Sequence, residues 1–385
     1  MVPSHQPAAR LATQLAFWVA GFGVSAWAPL VPYAKQRLQV DDHSLGLLLL
    51  CLGAGSVAAM VRTGPLCARY GCKPVIVTGG ICLAILLPVL AFAGTPWLMA
   101  IALLIFGGAL GSLDVAMNVH AVEVERSAGR PMMSGFHALF SVGGFSGAGL
   151  VTVMLSHSVA PVIATLICAV LMTAALALAS PRLLVTRPAQ AGDAGMLMAL
   201  PRGPVVVLSV LAAITFLVEG ALLDWSALLL TEIGLSSPER AGVGYAVFSV
   251  AMTVGRFSGD AVTARFGDRS MVFWGGLTVL FGFICLLTIN QYELAMAGFA
   301  LIGLGASNVV PVLFRQAGSQ NAMPAALAVS AVTTIGYAGY LMGPALVGFV
   351  SKLAGLQAAL WMLAALMCCV PALARSASNP DKATE

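Results

Sequence analysis

The chain has 385 residues, of which 19 are Lys or Arg and 15 are Asp or Glu, so only 9% are charged. A soluble domain carries about 25% charged residues, whereas this chain is 59% hydrophobic and has a mean hydropathy of +0.96. This composition excludes a soluble enzyme, a nucleic-acid-binding protein and a disordered protein, because each needs more charge than this. It indicates that lipid surrounds most of the chain.

Long uncharged stretches predict membrane-spanning helices, each of which requires about 20 residues. The first apolar run, 11–33, is longer than the core of a cleaved signal peptide, so we expect it to remain as the first helix. The 40 residues between Lys73 and Asp114 carry no charge, and Gly94-Thr95-Pro96 divides them into two crossings. Twelve spans are predicted in this way: 11–33, 44–63, 74–94, 97–121, 132–155, 159–180, 204–230, 241–259, 270–290, 293–314, 324–350 and 355–374.

The basic residues predict the orientation. An even number of spans places both termini on one side of the membrane. With cytoplasmic termini, fifteen of the 19 Lys and Arg residues fall on the cytoplasmic side, Arg256 among them, and only Lys35, Arg37, Arg240 and Lys352 fall outside. This agrees with the positive-inside rule. We therefore expect an all-α polytopic membrane protein with both termini in the cytoplasm.

A polar, proline-containing interval separates the sixth predicted span from the seventh. Residues 181–203 contain Pro181, Pro188 and Pro201 together with a Gly- and Ala-containing segment, which is typical of a linker. The interval predicts an N-terminal six-helix bundle (1–180), a cytoplasmic linker (181–203) and a C-terminal six-helix bundle (204–385).

The two halves contain similar segments, which indicates an internal repeat. Arg69-Tyr70-Gly71-Cys72-Lys73 follows the second span, and Arg265-Phe266-Gly267-Asp268-Arg269 follows the eighth, 196 residues later. Gly79-Gly80 and Gly275-Gly276 stand at the same separation. Two matches at one offset favour duplication over chance.

These basic segments resemble the signature of the major facilitator superfamily, roughly G-x-x-x-D-R-x-G-R-R/K. The first copy runs from Gly64 to Lys73, with Ala68 in the position of the family's Asp and Cys72 in that of a basic residue. The second copy has an acid at Asp260, four residues earlier than the pattern requires. The resemblance implies a gating loop formed by the following residues of the two copies: Gly64, Arg69, Gly71, Lys73, Asp260, Arg265, Gly267 and Arg269.

Three further segments extend this resemblance. Gly339-Tyr340-Leu341-Met342-Gly343-Pro344 is similar to the family's glycine-proline helix motif. Asp114-Val115-Ala116-Met117-Asn118 and 134–141 resemble the YbjJ-type bacterial inner-membrane members. The resemblance implies two six-helix bundles and a multi-pass protein of the bacterial inner (cytoplasmic) membrane.

Only three acidic residues lie well inside predicted spans: Asp114, Glu219 and Asp224. A charge at the centre of a bilayer is costly, so each of them requires a partner, water or a proton. Glu219 lies near the middle of its span and is the first candidate for proton coupling. A structural hydrogen bond to a neighbouring helix is the alternative. Asp224 lies nearer the outer end and is also consistent with a residue at the cavity mouth.

Asp114 and Asn118 are four residues apart, so both face the same side of the fourth span. His137 in the fifth span lies about as far from the cytoplasmic end as Asp114, which makes an Asp114–His137 pair possible. A histidine titrates near neutrality and can relay protons. A fixed hydrogen-bonded brace between the two spans is an equally good interpretation.

Aromatic and amide side chains in the spans are candidates for the lining of a solute cavity, because small organic molecules bind through stacking faces and a few polar groups. Packing and anchoring at the membrane interface are the alternative roles. The candidates are Trp27, Asn118, Phe140, Trp225, Asn308, Tyr337 and Tyr340.

Motifs of nucleotide hydrolysis, metalloprotease and serine hydrolase chemistry are absent from the sequence. The eight cysteines form no paired spacing that predicts a zinc site or a disulfide framework. We therefore predict neither an enzyme nor a cofactor nor a metal site.

We predict a secondary active transporter that moves a small organic solute by alternating access and is coupled to protons. A proton-driven exporter of drugs or metabolites and a facilitative channel-like pore are the alternatives. The expected partners are protons, an unidentified small molecule and membrane lipid. We expect a monomer that binds no nucleic acid.

Overall fold

A computed structural model describes residues 6–185, 200–236 and 242–377, and throughout these ranges the regular structure is helical. The helices are α1 (Gln6–Trp27), α2 (Val31–Leu38), α3 (Asp42–Tyr70), α4 (Cys72–Phe92), α5 (Pro96–Ala128), α6 (Met133–Ser156), α7 (Pro161–Ala179), α8 (Pro204–Glu232), α9 (Val243–Thr288), α10 (Tyr292–Ala306), α11 (Val309–Ser319), α12 (Ala325–Ala354), α13 (Leu356–Met367), α14 (Cys369–Ala372) and α15 (Ala374–Ala377).

Ten helical segments within the described ranges are long and apolar enough to cross a membrane. One of them, Val243–Thr288, is 46 residues long and holds two of the predicted spans. The last predicted span, 355–374, falls on a shorter apolar helix, Leu356–Ala372. The prediction of an all-helical, multi-pass chain is confirmed, whereas the number of crossings and the side of the termini stay predictions.

The surface of these helices is apolar, as a chain surrounded by lipid requires. Trp97 is 82% exposed, Phe92 73% and Trp274 64%. Large exposed apolar patches are rare on soluble monomers. These side chains have the bilayer as their solvent.

A single glycine separates each basic segment into two helices. Gly71, between α3 and α4, has φ 81° and ψ 165°, and Gly267, inside α9, has φ 78° and ψ 163°. Other residues rarely adopt such angles. α9 therefore consists of a first arm, 243–266, and a second arm, 268–288.

The prediction of a gating loop is wrong in one respect, because no extended loop exists at either place. Gly64 and Arg69 lie within α3, and Lys73 lies within α4. Asp260 and Arg265 lie in the first arm of α9, and Arg269 lies in the second. The helices continue past the predicted span ends at 63 and 259, because long basic side chains reach the polar interface without ending a helix.

Helix packing repeats at the offset seen in the sequence. A side chain at Gly107 in α5 would collide with the carbonyl oxygen of Leu52 in α3. A side chain at Gly303 in α10 would collide with the carbonyl oxygen of Phe248 in α9. Both residues of the second pair lie 196 positions after those of the first. The duplication predicted from the basic segments therefore extends to backbone contacts between helices.

The basic segments also repeat a side-chain contact. The guanidinium of Arg69 lies 5.2 Å from the centre of the Tyr70 ring, and that of Arg265 lies 5.4 Å from the centre of the Phe266 ring. These are cation–π distances. The second pair again follows the first by 196 residues.

The chain forms two compact units by its internal contacts. The first unit contains residues 1–129 and 139–199, and the second contains 130–138 and 200–385. The beginning of α6 thus belongs to the second unit and its remainder to the first. Much of the predicted linker (186–199, with Arg187 and Pro188) lies outside the described residues, as does Arg240. The predicted boundaries of the two bundles stay predictions.

In the first unit, Arg37 binds the end of α4. Its guanidinium donates from Nε to the carbonyl oxygen of Ala93 (2.9 Å), from Nη1 to that of Ala91 (2.6 Å) and from Nη2 to that of Leu90 (2.8 Å). The last carbonyls of a helix lack intrahelical partners. Arg37 therefore caps α4 and attaches α2 to it.

His120 joins three segments of the first unit. Its Nε2 accepts the backbone N–H of Leu184 (2.9 Å), and its Nδ1 lies 3.0 Å from the hydroxyl of Thr13. Thr13 in turn donates to the carbonyl oxygen of Ala9 (2.8 Å). Since a backbone N–H can only donate, Nε2 is the unprotonated nitrogen and the ring is neutral. The chain just before residue 186 is held to α5 and α1 in this way.

Candidate functional site

The second unit contains a buried ion pair between α8 and α9. Nη2 of Arg256 lies 3.9 Å from Oε2 of Glu219, and the two side chains are 9% and 12% exposed. Oε1 of Glu219 is buried and has no hydrogen-bond partner among the described residues. Glu219, the first candidate of the sequence analysis, is thus paired with a cation inside the helical unit.

The prediction that Arg256 lies on the cytoplasmic side is wrong. The predicted eighth span, 241–259, contains this residue close to its end. The helix instead continues to the break at Gly267, so Arg256 lies about halfway along the first arm of α9, where it is buried. The internal repeat could have predicted this burial, because the residue 196 positions before Arg256 is Met60, which is fully buried within α3.

Three tyrosines lie near this ion pair within the second unit. The rings of Tyr337 and Tyr340 in α12 stack with centres 6.0 Å apart. α12 approaches α8 beside Glu219, because a Cβ atom on Gly220 would lie 2.5 Å from the carbonyl oxygen of Tyr340. Tyr245 in α9 interacts electrostatically with both members of the pair. Two cavity candidates, Tyr337 and Tyr340, therefore lie beside the first proton-coupling candidate.

The two other candidates on α8 lie beyond Glu219 along the helix. Asp224 is exposed, and its predicted place nearer the outer end of the span stays a prediction. The indole N–H of Trp225 donates to the carbonyl oxygen of Pro344 at 3.2 Å. Trp225 thus attaches α8 to α12, and its indole N–H is already used in this contact.

In the first unit, Asp114 and Asn118 contact each other on α5, as their spacing predicts. Nδ2 of Asn118 lies 2.9 Å from the carbonyl oxygen of Asp114 and 3.5 Å from its carboxylate oxygen Oδ1. Oδ1 of Asn118 is buried without a hydrogen-bond partner among the described residues. A second acid with a neighbouring amide is therefore held within the helices.

The predicted cavity residues do not form a single cluster. Thr13 in α1 contacts His120 in α5, and at about 1.5 Å per residue Trp27 lies about 21 Å along α1 from this contact. Asn118 is only two residues from it, so Trp27 and Asn118 are at least about 18 Å apart along the helix axes. The indole Nε1 of Trp27 is buried and has no partner among the described residues. Phe140 is half-buried, and its carbonyl oxygen packs against Gly21.

His137 lies at the beginning of α6, which belongs to the second unit. Its ring stacks on Phe314 of α11, with centres 5.7 Å apart and an angle of 7° between the planes. It is buried and interacts electrostatically with Arg256. Because Asp114 belongs to the first unit, the Asp114–His137 pair stays a prediction.

Asn308 occupies the break between α10 and α11. Its amide donates to the carbonyl oxygen of Gly255 (2.9 Å) and to the hydroxyl of Ser307 (2.8 Å). Both donors are therefore used in holding the broken helix to α9. Its Oδ1 is buried without a hydrogen-bond partner among the described residues.

Asp260, a gating candidate, holds the first turn of α6 within the second unit. Its Oδ1 accepts the backbone N–H of Ser134 at 2.9 Å, and its Oδ2 accepts that of Gly135 at 2.8 Å. Free N–H groups and the helix dipole at a helix start favour an anion. Asp260 lies four residues earlier than the family pattern requires, and from this position its carboxylate contacts the start of α6.

A second charged contact lies near the glycine break of α9. Nη1 of Arg315 donates to Oδ1 of Asp268 at 2.7 Å, and the amide of Gln316 donates to Oδ2 of the same carboxylate. Sequence reasoning did not single out these three residues, because the pairing joins helices that are distant in the chain. Across the described ranges, no group of three or more His, Cys, Asp or Glu residues is arranged to hold a metal ion.

Comparison with known proteins identifies relatives along almost the whole chain. The model of the family described as Major Facilitator Superfamily matches residues 14–319. An uncharacterized MFS-type transporter of Yersinia pestis is 48% identical over 370 residues, which cover 96% of each chain. An uncharacterized transporter of Sinorhizobium fredii is 31% identical over 93% of this chain and 95% of its own length. The membrane protein MosC of Rhizobium meliloti is 28% identical over 91% of this chain and 85% of its own length.

Solved structures share the fold. The fucose:proton symporter FucP of E. coli superposes with a TM-score of 0.78 and 18% identity, over 97% of this chain and 98% of its own. The human organic anion transporter MFSD10 superposes with a TM-score of 0.74 and 16% identity, over 97% of this chain and 100% of its own. The helical arrangement of each unit is therefore part of a transporter fold.

Proposed function

Because this chain belongs to the Major Facilitator Superfamily and is a membrane transporter, we propose that it is proton-coupled and moves a small organic solute by alternating access. The proposed location is the inner membrane of a bacterium. The proposed topology has twelve spans, with a bundle in each half (1–180 and 204–385), a linker at 181–203 and cytoplasmic termini.

The Glu219–Arg256 ion pair carries the proposal of proton coupling. Two opposite charges are held 3.9 Å apart within the helices, with one carboxylate oxygen unpaired. In a medium of low dielectric, changing the charge of either member changes the stability of the conformation that holds it. A guanidinium does not lose its proton, so Glu219 is the member that titrates. Proton binding at Glu219 thereby couples to a change of conformation.

Asp114 is the second proposed proton site, because its carboxylate lies within a span beside one amide. His137 and Asp224 complete the proposed set of titrating groups. The similarity in fold to a fucose:proton symporter supports proton coupling in this chain. The proposed cavity residues are Tyr337, Tyr340, Trp225, Asn308, Asn118, Phe140 and Trp27.

Proteoliposomes test this proposal. A panel of sugars, carboxylates and amines is first screened by thermal shift in detergent at two pH values, because a ligand stabilises the state that binds it. A solute found in this way should accumulate when a pH gradient is imposed. Glu219→Gln should abolish gradient-driven accumulation and retain exchange of labelled for unlabelled solute.

Glu232→Gln is the matched control, since Glu232 is exposed at the end of the same helix. This variant should accumulate solute like the native protein. Accumulation by Glu219→Gln at the native rate would remove Glu219 from coupling. The sign of the gradient that drives accumulation separates uptake from export, and a flux that does not saturate with solute concentration would indicate a channel-like pore instead of a carrier.

A further inference from the structure

We infer that the transported solute is an organic anion whose carboxylate replaces Glu219 at the guanidinium of Arg256 when Glu219 takes up a proton. This inference rests on the proposed proton coupling and names the class of substrate. It starts from a cation that the sequence analysis assigns to the cytoplasmic side. Arg256 carries its charge at every physiological pH, and it is buried in the first arm of α9.

The contact between Arg256 and Glu219 is incomplete as a carboxylate-binding geometry. An arginine that fully engages a carboxylate does so with two parallel N–H···O bonds of about 2.8 Å. Here the ion-pair contact joins one nitrogen to one oxygen at 3.9 Å, and Oε1 of Glu219 has no hydrogen-bond partner within the described ranges. Glu219 therefore neutralises the guanidinium without forming the two-point contact that a free carboxylate can make.

Charge balance determines what must follow protonation of Glu219. Titratable groups near the ion pair include Tyr245 from α9 and His137 from the start of α6, which interact with Arg256, and Tyr340 from α12, which interacts with Glu219. Tyr337 stacks on Tyr340, and Asp224 lies further along α8, where it is exposed, whereas the side chain of Glu219 is 12% exposed. When Glu219 becomes a neutral acid, the buried guanidinium loses the negative charge of that carboxylate. A monoanion from solution restores it, whereas a neutral sugar or an amine does not.

The step balances. The pair Glu219–COO⁻···Arg256⁺ takes up one proton and one R–COO⁻ and becomes Glu219–COOH with Arg256⁺···⁻OOC–R. No covalent bond other than O–H is formed, and the net charge of the site is unchanged. Release of the anion and the proton on the other side of the membrane restores the original pair. The transported unit is therefore one proton with one carboxylate.

The neighbouring rings define the rest of the ligand. The stacked rings of Tyr337 and Tyr340, with centres 6.0 Å apart, present aromatic surface beside the ion pair. Apolar or aromatic parts of a ligand pack on such faces, while their hydroxyl groups bind polar substituents. The geometry fits a small carboxylate with an aromatic or aliphatic body.

Rescue of a Glu219→Ala variant tests the inference with defined probes. Removing the side chain leaves a cavity beside Arg256 and removes the carboxylate that pairs with it in this structure. Acetate and benzoate should raise the midpoint of thermal unfolding of Glu219→Ala in detergent. Their neutral isosteres, acetamide and benzamide, and an equal concentration of chloride should raise it much less. The Glu232→Ala control should show no selective effect of carboxylates.

A second variant pair excludes nonspecific binding. Glu219→Ala/Arg256→Gln contains the same cavity without the cation, so carboxylates should not stabilise it. Glu219→Gln represents the protonated site. It should bind benzoate at pH 8 as tightly as the native protein does at pH 5.5, and at least about 30-fold more tightly than Glu219→Gln/Arg256→Gln. His137→Gln should retain the pH dependence of benzoate binding, which assigns that dependence to Glu219.

The outcomes decide between the two proposals. Equal rescue by acetamide or by chloride, or undiminished rescue in the double variant, would overturn the assignment of an organic carboxylate. If a pH gradient drives a neutral solute while carboxylates fail to rescue, the substrate class is wrong and proton coupling stands. If carboxylates rescue but no gradient drives their accumulation, the anion site stands and proton coupling is wrong.

Discussion

The Glu219–Arg256 pair should behave in a double-mutant cycle as one electrostatic unit. At 3.9 Å and an effective dielectric constant of about 20, two unit charges attract by about 4 kcal/mol. Replacing one member of a buried pair leaves the other uncompensated, which typically costs about 3–5 kcal/mol. Glu219→Gln and Arg256→Gln should each lose stability in this range. Their combination should lose less than either single change, since no charge remains without a partner.

Thermal unfolding in detergent at neutral pH measures the cycle. An unfolding entropy of about 2.1 cal/mol/K per residue gives a chain of this size about 0.8 kcal/mol/K. A loss of about 4 kcal/mol therefore lowers the midpoint by about 5 °C. Each single variant should show this decrease, and the double variant should recover at least half of it.

The exposed Glu232 provides the control, because Glu232→Gln should leave the midpoint within about 1 °C of the native value. Additive losses in the double variant would refute the reasoning, because they would mean that the two charges are not coupled. The electrostatic argument for the site would then have no basis.

Three other contacts lead to predictions about stability. Arg37→Met should lower the free energy of unfolding by about 3 kcal/mol or more, because three carbonyl oxygens at the end of α4 lose a charged donor. Denaturation in detergent measures this loss, and Arg62→Met is the control because Arg62 is exposed. An unchanged midpoint for Arg37→Met would contradict the capping role. His120→Leu should lower the free energy of unfolding by about 1–3 kcal/mol, because it leaves the N–H of Leu184 without an acceptor. His120→Gln, whose amide oxygen reaches a similar position, should restore part of this stability in the same assay. Equal losses in the two variants would argue against the hydrogen bond. Gly303→Ala should destabilise the chain by about 1–3 kcal/mol, because the added Cβ collides with a backbone oxygen of α9. Gly149→Ala is the control and should be neutral or stabilising, because a Cβ at Gly149 meets no atom within 4 Å. Equal unfolding midpoints for the two variants would refute the close contact.

The helices could be predicted because uncharged runs of suitable length leave few alternatives for a chain in lipid. Their ends could not be predicted from charge alone. Arg69 and Arg265 lie inside helices that continue to a glycine, and only the backbone angles of Gly71 and Gly267 reveal where each helix stops. A basic residue near an interface does not distinguish a loop from the last turn of a helix.

The candidate site could be predicted in part. The cost of a charge in lipid identified Glu219 and Asp114, and the spacing of Asp114 and Asn118 predicted that both lie on one face of their helix. The partner of Glu219 could not be identified, since Arg256 lies on another helix and its charge suggested the cytoplasmic side. Likewise, the separation of Trp27 from Asn118 follows from the register of α1 against α5, and residue types alone do not give that register.

The repeated glycine contacts suggest how a duplicated chain acquires chemistry. Gly107 and Gly303 meet a backbone oxygen in each half, so neither copy can change without moving a helix. Met60 and Arg256 occupy matched positions, where one copy has a buried packing residue and the other a buried charge. Matched positions that differ in side chain are therefore the places where two copies of one scaffold have different chemistry.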